Sequence, residues 1–584
     1  MTGLRSDRWF GGDDEVAVLH RVALPARGTG GGPVIGIADT TSDLNPCNAP
    51  LSGLIEAVAR GIRAAGGVPV RFPVMSLGED LMKPTAMLYR NLAAMQIEEQ
   101  ARSNPLDGLV LTAGCDKTVA AALLGAASAD LPALLLLSGP RAAPTWRGRP
   151  LGTGTDLWRA LEERRAGLLD DEAWHELEAC LSCAGPGTCT TMGTASTLAL
   201  LTEVLGLCLP GTTGVAGASP AAVDLAERTG ARVVELVAAG TRPSDVVTQA
   251  ALDNALLALA AVGGSTNAVI HLAALAGRLG LDASLAHADA LWRDVPLLAD
   301  VEPCGRHLTA ALPAAGGVPT LLAGLAGLPG PAGLPGPGGH LDLTARAGDG
   351  QPWALHVSLA PEPTPDGVLR AGDHPVAPAP TMVALTGSLA PDGCVLKVAA
   401  ASPDLLRHTG PALVLDDYDD MRRRLDDPEL VVDDDVVLVV RGIGPVGAPG
   451  MPEWGMAPIP APLVRRGVRD VVRISDGRMS GTSFGTVALH VAPEAEAGGP
   501  LALVRNGDLI RLDVPARVLD LLVEPAELAA RAATWQPAPV ADLRGWPLLY
   551  RQHVGQAPAG ADLDFLTAPR PEHRVRVEPT VGRS

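Results

Sequence analysis

Four short segments carry side chains able to bind metal or move protons. The first is Asp43-Leu44-Asn45-Pro46-Cys47, the second Gly78-Glu79-Asp80, and the third Gly114-Cys115-Asp116-Lys117-Thr118. The fourth runs from Cys180 through Cys183 to Ala-Gly-Pro-Gly-Thr-Cys189. Thiolates favour soft ions and carboxylates favour hard ones, so the set offers donors of both kinds. Taken singly, each cysteine is better explained as a small buried hydrophobe. Cys180 and Cys183 have the spacing of a zinc or redox pair, but no second pair accompanies them, which makes the spacing a weak signal. Gly185 and Gly187, just before Cys189, would let the backbone approach a bulky inorganic ligand.

The elements that must position these residues alternate. Short apolar runs at Val34–Asp39, 68–75, 106–112 and 131–137 read as strands. Between them, 51–65, 87–102 and 119–128 have helical apolar spacing, the first ending at Gly66-Gly67. Alternation of this kind predicts a parallel sheet flanked by helices. The first three chemistry-bearing segments then follow three strands, where ligand sites gather in open α/β sheets. Convergence of two thiols and several carboxylates is the expectation.

Farther on, 194–207, 250–261 and Asn267–Leu279 read as Ala/Leu-rich helices, and the Gly/Pro-rich 324–339 as a loop or linker. After about residue 380 the texture changes to short Val-rich runs, such as 431–440 and 501–504. Asn506-Gly507-Asp508 before 509–514 reads as a tight turn between strands. The expected architecture is an α/β domain over 1–379, followed by a β-rich, barrel-like domain over 380–584.

The chain has 584 residues, enough for two domains, with 47% apolar and 19% charged residues. Its net charge of −19 argues against nucleic-acid or anionic-membrane partners, though not against an anionic substrate drawn to a local cation. The first 15 residues lack the apolar core of a secretory signal, and 119–137 is broken by Asp130 and Pro132, so the expected compartment is the cytoplasm. Eight cysteines are too sparse for a disulfide scaffold.

Longer motifs extend the picture. They are Asn45-Pro46-Cys47, GCDKT at 114–118, GTCTTMGTAST at 187–197, GGSTNAVIHL at 263–272, PGMPE at 449–453, ISDGRMSG at 474–481 and HVAPEAEAGGP at 490–500. In this order they resemble the dihydroxy-acid dehydratase/phosphogluconate dehydratase family, which includes the sugar-acid (aldonate) dehydratases. The resemblance covers about 34–566. It implies an α/β domain followed by a barrel-like one, assembled as a homodimer or homotetramer.

The resemblance further implies that Cys47, Cys115 and Cys189 hold an iron–sulfur cluster, [2Fe-2S] rather than [4Fe-4S] because Lys117 follows Cys115-Asp116. It implies Glu79, Asp116, Glu453 and a carbamylated Lys117 as Mg²⁺ ligands, and Ser480 as the base. Three thiolates leave one iron open to act as a Lewis acid on a departing 3-hydroxyl. Mg²⁺ takes oxygen donors, which a carbamate supplies and a free ammonium does not. Asp80 competes with Glu79 as the ligand.

Plainer readings stand beside these. Ser480 alone would be an ordinary turn serine. Glu453 after Pro452 would begin a helix. His271 would be a satisfied core histidine, and Cys208, Cys304 and Cys394 structural. The block from Lys83 to Asn91 resembles the aldonate branch, whereas the Cys183–Cys189 spacing resembles the dihydroxy-acid branch of branched-chain amino-acid biosynthesis. The longer block favours a pentonate or hexonate. A non-enzymatic iron–sulfur protein is the remaining alternative, with Cys180 or Cys183 as a fourth thiolate.

Overall fold

The computed structural model describes residues 3–11, 15–28, 31–217, 219–328, 339–427, 429–538, 543–567 and 581. Strands β1 (Val34–Asp39), β2 (Val68–Pro73), β3 (Gly108–Ala113) and β4 (Ala133–Leu137) form a parallel sheet in the order β2-β1-β3-β4. Each lies within two residues of its expected bounds. Strands β1, β3 and β4 are buried throughout. Leu109, Leu111 and Ala113 join one apolar cluster and Val110 the cluster on the opposite face. Burial on both faces is why these strands read as unbroken apolar runs.

Helices α1 (Ile55–Ala64), α2 (Arg90–Ser103) and α3 (Asp116–Ala129) connect the strands. The expected helix at 51–65 divides into a 3-10 turn, Ala49–Gly53, and α1. The expected helix at 119–128 starts three residues earlier. Cys115 takes an extended conformation as N-cap, so Asp116, Lys117 and Thr118 form the first turn of α3. A carboxylate there lies at the positive end of the helix dipole. Buried α3 packs against α2, and α4 (Thr194–Val204), α6 (Gln249–Ala261) and α7 (Asn267–Leu279) complete this core. Helix α5 (Pro220–Ala239) crosses α1 so closely that a methyl on Gly61 would meet Glu227 O at 1.9 Å.

Eight further strands are β5 (Met382–Leu385), β6 (Gly393–Lys397), β7 (Arg407–Leu415), β8 (Val437–Val440), β9 (Val472–Ser475), β10 (Val487–Ala492), β11 (Leu509–Asp513) and β12 (Val518–Leu521). They form one mixed sheet, ordered β12-β11-β7-β8-β9-β10-β6-β5. A bridge between Thr386 and Val518 brings its two edges together, so the sheet is nearly a closed barrel. Alternate residues, among them Val383, Leu396, Val414, Val439, Ile474, Ala488 and Leu512, fill one cluster. This is the period-two pattern of a strand.

Three expectations change. Residues 501–504 are not a strand: Pro500–Leu503 is a 3-10 helix, with Pro500 at its start and Leu501 and Val504 turned together into the barrel cluster. The turn at Asn506-Gly507-Asp508 therefore joins a 3-10 helix, not a strand, to β11. Of 431–440 only Val437–Val440 is strand, because Asp433-Asp434-Asp435 stays at the surface. Of 324–339, Gly324 to Ala326 closes the helix Gly317–Ala326, and 329–338 lie outside the described residues. Among the described residues no single helix is long and apolar enough to cross a membrane.

The edges of the parallel sheet are covered or blunted. Leu135 N–H of β4 donates outward to Leu207 O at 2.7 Å. Strand β2, at the other edge, reads Val-Pro-Val-Arg-Phe-Pro, and its Val68 N–H points inward to Pro33 O. Residues 543–567 return to α2 and α7. Arg90 donates to Gly560 O and Ala561 O, both at 2.9 Å, and Arg278 makes a bidentate pair with Asp562 at 2.8 and 2.9 Å. Both Arg278 and Asp562 are buried. Removing one member leaves an uncompensated buried charge, so Asp562→Ala is expected to cost about 3–5 kcal/mol. Arg278→Met with Asp562→Leu should recover most of that loss, as read from urea denaturation midpoints.

Candidate active site

The loops after β1, β2 and β3 meet at Asn48. Its Nδ2 donates to Thr40 O and Ser76 Oγ at 3.0 and 3.1 Å, and its Oδ1 accepts from Cys115 N–H at 3.0 Å. Asn45 Oδ1 accepts Cys47 N–H, and Ser138 Oγ beyond β4 donates to Cys47 O at 2.7 Å. Gly114 is required by this closeness, since a methyl there would meet Cys47 O at 2.4 Å and Asn48 Oδ1 at 2.7 Å. Gly187 has a φ of +138° and packs on the Arg141 backbone. It thus brings two chain segments together, which is a different reason for a glycine from the one the sequence suggested.

Cys47, Cys115 and Cys189 all line one cavity of about 500 Å³. A hydrogen bond with Cys47, together with burial, pushes the Cys115 thiol well up, and burial beside Cys47 pushes Cys189 up to about 12. Thiols held protonated in this way would lose their protons to solvent as a metal takes their place on sulfur. Cys183 is exposed, and Cys180 lies against the small cluster of Leu151, Ala160 and Leu177; neither lines the cavity. Cys208 and Cys394 are buried in the two main apolar clusters. Cys304 Sγ lies 3.7 Å from Gly263 O.

Beside the thiols, oxygens of Glu79, Asp116 and Glu453 lie within 4.8 Å of one another. Lys117 Nζ, fully buried, contacts Asp116 and lies 3.4 Å from Glu453 Oε2 and 3.5 Å from Glu79 Oε2. Burial works against its ammonium, but Asp116, Glu453 and Glu79 hold its pKa above the usual lysine range. Burial also raises Glu453, against Lys117 and Arg478, whereas Asp116 is held low despite burial by the charge and hydrogen bond of Lys117. Glu79 Oε2 is buried and accepts no hydrogen bond. Asp80 lines the same cavity but is exposed and outside the carboxylate cluster.

Glu453 does not begin a helix. It pairs in a two-residue parallel ribbon with Arg478, and Trp454 with Met479. Arg478 donates to Glu453 Oε2 at 2.6 Å and Asn267 Nδ2 to the same oxygen at 2.9 Å. Thr85 Oγ1 donates to Glu79 Oε1 at 2.6 Å and lies 3.2 Å from Arg478 NH2. The ribbon ends at Ser480, whose N–H donates to Trp454 O at 2.8 Å and which lines the cavity. His271 is buried, with Nδ1 3.1 Å from Arg90, and burial holds it neutral.

Sequence reasoning assigned no role to Asn48, Arg478, Asn267, Thr85, Lys83 or Arg141. Arg478 and Asn267 lay inside quoted motifs, where a charged or amide side chain beside apolar runs was the available signal. Lys83 and Arg141 also line the cavity, and neither forms an ion pair among the described residues. Lys83 opens the block that resembles the aldonate branch, though no charge role was read from it, and nothing in the local sequence of Arg141 marks it.

The N-terminal model of the dihydroxy-acid/6-phosphogluconate dehydratase family matches residues 32–329, and its C-terminal model 367–561. The chain is 45% identical to a 6-deoxy-6-sulfo-D-gluconate dehydratase of Pseudomonas putida, over 97% of this chain and 96% of the relative. It is 44% identical to an L-arabinonate dehydratase of Rhizobium leguminosarum bv. trifolii (strain WSM2304), over 96% of each. An L-arabonate dehydratase of Azospirillum brasilense is also 44% identical, over 97% of each. The chain belongs to the dihydroxy-acid/6-phosphogluconate dehydratase family and is a hydro-lyase.

Proposed function

We propose that the protein dehydrates a sugar acid, a pentonate or hexonate, to the 2-keto-3-deoxy acid. The observation that carries this reading is the meeting of three thiols, three carboxylates and Ser480 on one cavity. The relatives named for arabinonate and sulfogluconate support an aldonate over dihydroxyisovalerate. The division of labour follows the sequence, with thiols and most carboxylates from 1–379, and Glu453 and Ser480 from 380–584. A cytoplasmic homodimer or homotetramer acting on a small molecule, without nucleic acid or membrane, fits this reading.

Cys47, Cys115 and Cys189 would hold a [2Fe-2S] cluster, and Glu79, Asp116, Glu453 and a carbamylated Lys117 would hold Mg²⁺. The donors fit both groups. Three thiols share the cavity, and Glu79 Oε2 is a buried oxygen lacking a hydrogen bond. Turning the Lys117 ammonium into a carbamate changes the local charge by two units, which a divalent cation restores. When bound, the two groups supply Lewis acidity for a hydroxide leaving group and for charge developing beside the substrate carboxylate.

The chain's own residues do the rest. Lys83 and Arg141, each hydrogen-bonded to backbone carbonyls, bring positive charge to a rim that also carries Asp80, and would be the groups that meet an anionic substrate. Arg478 and Asn267 fix Glu453 from two sides, and Thr85 fixes Glu79. Ser480, as its alkoxide, takes the C2 proton as the C3–O bond breaks and hydroxide leaves. The enol left by loss of water tautomerises to the 2-keto acid.

The test is a keto-acid assay of anaerobically purified protein against a panel of aldonates and dihydroxyisovalerate. Faster turnover of an aldonate is expected, and a clear preference for dihydroxyisovalerate would transfer the protein to the biosynthetic branch. Serine at Cys47, Cys115 or Cys189 should bleach the cluster absorbance and stop turnover, while Cys183→Ser leaves both in place. Loss of the cluster in Cys183→Ser as well would revive the fourth-thiolate alternative, and its retention in any one of the other three would overturn the ligand set. Chelation should remove activity with the cluster spectrum intact, and added Mg²⁺ should restore the rate. An unchanged rate after thorough chelation would contradict the magnesium half of the reading.

A further inference from the structure

A serine hydroxyl takes a carbon-bound proton only if its alkoxide is stabilised, because its ordinary acidity is too weak. Three contacts bear on this at Ser480. The Trp158 indole N–H donates to Thr482 Oγ1 at 2.8 Å, Thr482 Oγ1 lies 2.8 Å from Ser480 Oγ, and Thr482 N–H donates to Ser480 Oγ at 3.3 Å. Two hydroxyls side by side leave the direction of their hydrogen bond open. The indole, a donor only, fills one lone pair of Thr482 Oγ1 and leaves its hydrogen free to be given, and deprotonation of Ser480 then settles the direction. Thr482 keeps its own hydrogen, and a deprotonated Ser480 has none to return. With Ser480 as alkoxide, the chain runs from Trp158 through Thr482 to Ser480, each link polarising the next.

The packing keeps Thr482 in this role. It is buried, at 3% exposure, and its carbonyl accepts from Thr155 Oγ1 at 2.9 Å. A methyl on Gly154 would meet Thr482 Oγ1 at 2.5 Å, and one on Gly193 would meet its Cγ2 at 2.6 Å. Two glycines from separate segments thus leave just enough room for this side chain. Trp158 stands on the helix Thr155–Arg165, so the donor chain starts far from the ISDGRMSG motif and ends inside it.

We infer that Thr482, backed by Trp158, is a positioning residue that stabilises the Ser480 alkoxide with two donated hydrogen bonds, one from its hydroxyl and one from its backbone amide. The inference rests on the reading of Ser480 as the base. It gives the ISDGRMSG turn a preorganised pair of donors aimed at the serine oxygen rather than at substrate.

Thr482→Val removes the hydroxyl donor and keeps the shape, Thr482→Ser keeps the donor, and Trp158→Phe removes the indole N–H together with part of the ring that packs at Gly455. Loss of the hydroxyl donor makes the alkoxide form less readily, and the smaller fraction of active base is expected to lower kcat by about 10²-fold on the acid side of its pKa, with KM little changed. Thr482→Ser should restore most of the rate, and Trp158→Phe should show a smaller loss in the same direction. The ascending limb of the kcat–pH profile should move to higher pH in Thr482→Val, because an alkoxide with one donor fewer forms less readily. In protein labelled with ¹⁵N-tryptophan, the indole signal missing from Trp158→Phe should move upfield in Thr482→Val. Ser480→Ala separates the two levels of the argument. If it is inactive while Thr482→Val turns over within two-fold of the parent on an unshifted pH limb, the donor pair is wrong and the base assignment stands. If Ser480→Ala itself stays active, both fall. An indole signal that does not move in Thr482→Val breaks the chain at its first link.

Discussion

Three carboxylates, an ammonium and a guanidinium meet where the two sheets adjoin, and most of them are nearly out of water. Burying an ion costs several kcal/mol even after relaxation, so each must find opposite charge and hydrogen bonds within reach. Lys117 comes from the first turn of α3, Glu453 and Arg478 from the short ribbon, and Glu79 from the loop after β2. Lys117 has Asp116 in its own turn and Glu453 has Arg478 in its own ribbon, but the set also reaches across segments, Lys117 to Glu453 and Glu79, and Arg478 to Thr85. The charge cluster therefore ties the parallel sheet to the barrel, because separating them would take Glu453 away from Lys117 and Asn267, and Arg478 away from Thr85. The cavity that opens beside this cluster inherits its rigidity, and residues that only brace it, such as Asn267 and Thr85, become as important to its shape as those facing into it.

A second constraint acts on the thiols. Asn48 spends both ends of its amide on neighbouring loops, joining the turn after β1 to those after β2 and β3. A side-chain amide has donors and an acceptor in a fixed plane, so this one group sets the spacing of three loops at once. The distance between Cys47 and Cys115 is thus fixed by backbone and amide geometry before any inorganic group contributes. Gly114 is the steric counterpart of the same arrangement, since no other residue fits between Asn48 and Cys47 O.

Much of this was legible in the sequence where one residue type does one job. The buried strands announced themselves as apolar runs, and the motif residues Cys47, Cys115, Cys189, Glu79, Asp116, Glu453 and Ser480 do reach one cavity. Legibility failed where the outcome depends on what lies across a gap in the chain. Residues 501–504 have a strand's composition, yet Pro500 and the i, i+3 placement of Leu501 and Val504 make them a 3-10 turn. Asn48, Arg141 and Trp158 look ordinary in their local context, and only the three-dimensional neighbours of each reveal its contacts. The start of α3 was misjudged because Asp116 and Lys117 look like loop residues until their buried partners are known.

The way the sheets end has a consequence for how copies of this chain meet. A strand edge with free N–H and C=O groups invites another chain to add to it, natively or in aggregates. The barrel nearly closes on itself, and β4 is occupied by Leu207. Strand β2 remains, and alternation along it turns residues 69, 71 and 73 outward, since Val68 points its N–H inward. Two of those three are prolines with no hydrogen to offer, so the outer rim of β2 holds a single donor, Arg71 N–H. Among the described residues, both edges of the parallel sheet thus offer little for strand addition. An edge of this kind shifts the burden of any contact between copies onto side-chain surfaces, where single substitutions can tune it, and away from backbone ladders, which substitutions scarcely touch.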